Sequence, residues 1–69
     1  MAVQKAVELI GTGASVEEAV AEAIDRAALT LDGLTRFEIV EVAGSVEGGR
    51  LAYEVRVRVW FALLERVHG

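Results

Sequence analysis

From Gly49 to Leu64 the chain alternates residue by residue, and this constrains the fold more than any other feature. Leu51, Tyr53, Val55, Val57, Val59 and Phe61 share one parity, whereas Glu54, Arg56 and Arg58 share the other. Period-two patterning places successive side chains on opposite faces of a strand. The run therefore predicts one long strand with an apolar and a charged face, roughly twice the usual strand length. Only one further segment of the chain has helical periodicity, so a single helix is available to shield a large sheet. That imbalance predicts a subunit whose sheet is completed by other subunits.

Size points the same way. With 69 residues the chain is read as one domain over residues 1–69, near the lower limit for unaided folding. Small scaffolds draw on disulfides, a structural metal or oligomerisation. The chain has no cysteine and a single histidine, His68, which excludes disulfides and thiolate metal sites and leaves self-association. The lack of cysteine is compatible with a reducing cytoplasm, the expected location. An apolar fraction of 54% without any charge-free stretch long enough to cross a bilayer points to subunit contacts and away from membranes. A net charge of −4 argues against nucleic acid as a partner.

Upstream of the long strand, Ala2 to Ile10 reads as a first strand, ended by a turn at Gly11-Thr12-Gly13-Ala14. Ser15 and Glu18 have the spacing of a capping box. Val16, Ala19, Val20, Ala23, Ile24, Ala27 and Leu31 follow at helical intervals, with acidic residues between them. The spacing predicts an amphipathic helix from about Val16 to about Leu31, stopped by Asp32-Gly33. Arg36 to Ala43 reads as a second strand with Phe37 and Ile39 on one face and Val40 and Val42 on the other. Glu47-Gly48-Gly49 marks a hairpin. The expected fold is α+β: a β-α-β-β subunit with a three-stranded antiparallel sheet packed on one helix.

No catalytic constellation emerges, and the expectation is a protein that is not an enzyme. Gly11-Thr12-Gly13 lacks the spacing and the lysine of a phosphate loop, so it reads as a tight turn. Neither Ser15 nor Ser45 has a histidine placed to activate it. Glu38 and Glu41 are candidate ligands for calcium or magnesium if copies of the chain meet at a symmetry axis. Their competing reading is ordinary ion pairing with Arg56, Arg58 or Lys5. Trp60 falls on the charged face of its strand and reads as a packing residue at a subunit contact.

Taken in order, several blocks resemble the dodecin family across essentially the whole chain. They are Lys5-Ala6-Val7-Glu8-Leu9-Ile10-Gly11-Thr12, Ser15-Val16-Glu17-Glu18-Ala19-Val20 and Ala23-Ile24-Asp25-Arg26-Ala27. Thr30-Leu31-Asp32-Gly33-Leu34, Phe37-Glu38-Ile39-Val40-Glu41 and Tyr53-Glu54-Val55-Arg56-Val57-Arg58-Val59 complete the series. The resemblance implies twelve β-α-β-β subunits closed into a hollow sphere that stores or sequesters a flavin, riboflavin or FMN, at subunit interfaces. Some members of the family bind other ligands, including coenzyme A or calcium.

On that resemblance Arg36 occupies the place of a tryptophan that stacks on the flavin ring, and Glu54 that of a glutamine at its polar edge. Glu38 and Val40 would line the same neighbourhood. An arginine still lies flat on an aromatic ring, but an ionised glutamate only accepts hydrogen bonds where glutamine also donates. Arg36 has a second use open to it, an ion pair with Glu54 or Glu38. A flavin-free shell, structural or holding calcium, magnesium or another small ligand at its interfaces, is the alternative expectation. Trp60 stands where the family has a small residue.

Overall fold

The computed structural model describes residues 2–64. Strand β1 (Ala2–Gly13) leads into helix α1 (Val16–Thr30), followed by strands β2 (Leu34–Glu47) and β3 (Arg50–Leu64). The sheet order is β1-β3-β2, with both pairings antiparallel. The long alternating strand is thus the central one, and the helix makes the connection between two parallel outer strands.

Register explains the two faces. Val55, Val57, Val59 and Phe61 of β3 lie beside Gly11, Leu9, Val7 and Lys5 of β1. With Val42, Ile39, Phe37 and Leu34 of β2 they make the face that carries α1. The opposite face is built of cross-strand rows: Ala6–Trp60–Arg36, Glu8–Arg58–Glu38, Ile10–Arg56–Glu41 and Thr12–Glu54–Ala43. Each arginine of the central strand therefore has a carboxylate beside it.

The expected turn at Gly11-Thr12-Gly13 is not a turn. Strand β1 continues through Gly13, and neither glycine has positive φ. The two glycines instead let the helix approach: a Cβ on Gly11 would overlap the Ala19 carbonyl, and one on Gly13 would stand 2.9 Å from the Ala19 nitrogen. Ala19, Ala23 and Ala27 form the buried stripe of α1 that this close approach requires.

Strand β2 is longer than the expected Arg36 to Ala43, because irregular alternation hides its true ends. Its register slips between Leu34 and Arg36 and again between Ile39 and Glu41. Each slip inserts one extra residue, Thr35 and Val40, as a β-bulge does. The second returns Val42 to the face of Phe37 and Ile39 and carries Glu41 to the arginine face. The expectation that Val42 opposes Phe37 and Ile39 is thereby corrected.

The ends of the helix follow the sequence closely. Ser15 is the N-cap and accepts a hydrogen bond from the Glu18 N–H at 3.1 Å. The Glu18 carboxylate reaches back to the N–H of Ala14 at 3.0 Å, a variant of the reciprocal cap displaced by one residue. Leu31 is the C-cap, and Gly33 with φ +69 reverses the chain. In the hairpin Gly48 and Gly49 both have positive φ, as a two-residue loop matched to strand twist needs.

The core is small. Its fully enclosed cluster consists of Ala19, Ala23, Ala27, Val55, Val57 and Val59. Helix α1 sits over β1 and β3 and leaves Phe37, Ile39 and Val42 of β2 about half exposed.

Candidate functional site

The outer face of the sheet carries the concentrated polar chemistry. At its centre the Arg58 guanidinium is shared between two strands. It donates to Glu8 at 2.9 Å through Nη2 and 3.2 Å through Nε, and to Glu38 at 3.3 Å through Nη1. Arg56 lies 3.9 Å from Glu41. Both carboxylates considered as metal ligands are thus turned toward arginines. Among the described residues no group of three or more acidic, histidine or cysteine side chains is gathered for a metal ion.

At one end of this face Arg36 lies over Trp60, its Cζ 4.3 Å from the ring centroid. The Arg36 Nη2 is also 3.5 Å from the Glu38 carboxylate. Of the two ion-pair partners considered for Arg36, the chain supplies Glu38. Trp60 does lie on the charged face, but its packing partner within the chain is this guanidinium, a cation–π contact. That pairing was missed because the Val40 bulge, which counted from the hairpin sets Arg36 opposite Trp60, leaves no regular trace in the sequence.

Glu54 is elsewhere. It lies opposite Thr12 and Ala43, six positions along β3 from Trp60, or roughly 20 Å at the rise of a strand. It borders a hollow of about 730 Å³ toward the hairpin end, together with Tyr53, Gly13 and Gly44. Glu54 has no ion-pair partner among the described residues. Val40, grouped with Arg36 by parity, is the second bulge residue and is 40% exposed. One chain therefore brings Arg36 and Glu38 together, but separates them from Glu54.

On the helix side, Val16, Val20 and Ile24 of α1 face Phe37 and Ile39 of β2 across an apolar groove of about 620 Å³. No helix among the described residues is long and apolar enough to cross a membrane.

The dodecin family profile matches residues 3–64. The chain belongs to the dodecin family. Among solved structures, an arginine-to-alanine variant of the T. thermophilus dodecin is 38% identical, with a TM-score of 0.89 over 96% of this chain and 100% of that one. The dodecin of Streptomyces davaonensis is 33% identical at a TM-score of 0.85, covering 93% and 97% of the two chains. A calcium-chelating dodecin of Mycobacterium tuberculosis, described with a calcium-binding site, is 29% identical at 0.78, covering 97% and 99%. No curated protein sequence matches the chain. The β-α-β-β subunit expected from the sequence is thus the dodecin fold.

As a candidate dodecin ligand, a flavin fits the chemistry of this donor set in part. The guanidinium over Trp60 is planar and 61% exposed, suited to stacking on a conjugated ring. A carboxylate such as that of Glu54 can accept a hydrogen bond from a ring N–H but has none to donate to a ring carbonyl.

Proposed function

We propose that this dodecin is a non-enzymatic protein that sequesters a flavin, riboflavin or FMN, between subunits of a closed, hollow homododecamer. The observation that carries the assembly is the shape of the lone subunit. Its radius of gyration is 15.1 Å, whereas a compact chain of this length has about 11 Å. Among the described residues ten large apolar side chains are exposed, against a core cluster of valines and alanines. A sheet that long is shielded only when copies close over β2 and the groove beside α1.

In such an assembly, Arg36 of one copy covers a face of the ring and a Glu54 accepts from its polar edge, with Glu38 and Val40 alongside. Bound flavin supplies no chemistry to a reaction here; stacking in a dry interface withholds it from light and from solution. Equilibrium dialysis with riboflavin and FMN, alongside light scattering, tests the reading. Saturable binding to a particle of about twelve subunits is expected. A particle that retains neither flavin overturns it.

The M. tuberculosis relative favours a second reading. Glu38 and Glu41 of several copies would hold calcium or magnesium after exchanging arginine partners for the ion. Calorimetry with calcium on chelator-treated protein should then give a saturable heat that Glu41→Gln removes. An unchanged heat in that variant rejects Glu41 as a ligand.

A further inference from the structure

The arginine that stands at the stacking position is held from three sides. Counted from the hairpin, the Val40 bulge sets Arg36 opposite Trp60 where unbroken pairing would set it opposite Phe61, on the helix face, and Thr35 forms a second bulge beside it. The Thr35 hydroxyl donates to the Trp60 carbonyl at 3.4 Å, tying the bulge to the strand that carries the indole. The Arg36 guanidinium then rests over the indole at 4.3 Å, with Glu38 at 3.5 Å. Arg58, 5.9 Å from the same ring, is itself fixed by Glu8 and Glu38. A free arginine side chain samples many rotamers, and ordering it on binding costs affinity. Here that ordering precedes the ligand.

We propose that Trp60 is a positioning residue for a planar conjugated ligand. The indole is the lower layer of a two-layer platform, and the open face of Arg36 is the layer on which the ligand ring stacks. The inference deepens the flavin reading and rests on it for the location of the ligand. It also defines the ligand class more broadly: flat conjugated rings, favoured when they carry negative charge, because the stacking surface is a cation. Trp60 does not touch the ring and acts through Arg36.

The test uses the full-length assembled protein with FMN and, as a planar anion that is not a flavin, anthraquinone-2-sulfonate. Without ligand, the Arg36 side-chain protons should show upfield ring-current shifts in NMR spectra, lost in Trp60→Leu and partly kept in Trp60→Phe. FMN affinity should fall at least tenfold in Trp60→Leu and recover in part in Trp60→Phe. Arg36→Lys keeps the charge and removes the plane, so it should weaken FMN to a similar degree with Trp60 intact. Because both residues form one platform, Arg36→Ala should cost little more in a Trp60→Leu background.

Additive losses, or unchanged affinity in both Trp60 variants, would overturn the proposal. Absence of the ring-current shift in the native protein would do the same. Native protein that binds the anthraquinone but not FMN defeats the flavin reading alone. If it binds neither ring, both ideas fall.

Discussion

A Cβ at Gly11 would overlap the carbonyl oxygen of Ala19 and stand 3.0 Å from the Ala23 Cβ. The obstructing atom belongs to helix backbone, so the clash is relieved only by moving α1 away from the sheet. Gly11→Ala should therefore destabilise the protein by about 3 kcal/mol, the upper end of the usual range for overpacking a tight contact. Gly48→Ala is the comparison: nothing lies within 4 Å of its added Cβ, and only its φ of +57 opposes the change. That substitution should cost about 1–2 kcal/mol. Denaturant unfolding at one fixed protein concentration measures both, and a smaller loss at Gly11 than at Gly48 would contradict the packing account. The role of Gly11 was hidden because glycine serves turns and close approaches equally well. A signal was nevertheless present: Gly11 and Gly13 continue the parity of Val7 and Leu9, and alanines at 19, 23 and 27 make a helix face small enough to sit on them.

At the scale of elements, legibility followed periodicity. Helix α1 and strand β3 keep one period throughout, so their extent and faces could be read directly. Strand β2 changes phase at Thr35 and at Val40, which blurs its alternation and hides both the full span and the faces of Val42 and Glu41. The same phase changes concealed the placing of Arg36 opposite Trp60. The start of the helix rests on local side-chain bonds that the sequence does encode. Ser15 accepts from Glu18, Glu18 accepts from Ala14, and Glu22 accepts from the Thr12 N–H at 2.9 Å. The last of these straps α1 to β1 just before the chain turns. Ser15→Ala leaves a first-turn N–H without its partner and should cost about 1 kcal/mol, whereas Ser15→Asp should cost nearly nothing. Thermal unfolding of both variants checks this, and an equal loss in the two would show that the cap is not what Ser15 contributes.

For the whole molecule, the lone subunit and the proposed shell make opposite demands on one surface. Phe37, Ile39 and Val42 are 50%, 43% and 48% exposed, and Val16, Val20 and Ile24 border the groove beside Phe37 and Ile39. If the subunit worked alone, a charge at Ile39 would be nearly neutral, since the side chain would already meet water. Within a closed assembly the same position is buried against another copy, and an unpaired carboxylate there is costly. Ile39→Glu should therefore abolish the large particle, and with it most of the folding stability, because the enclosed core among the described residues holds little besides valines and alanines. The native protein should show the related signature of folding coupled to association: its unfolding midpoint should rise with protein concentration. Light scattering and unfolding over a hundredfold dilution series measure both effects. A native midpoint independent of concentration, together with an Ile39→Glu protein that remains folded at 7.4 kDa, would mean that the sheet does not depend on its neighbours.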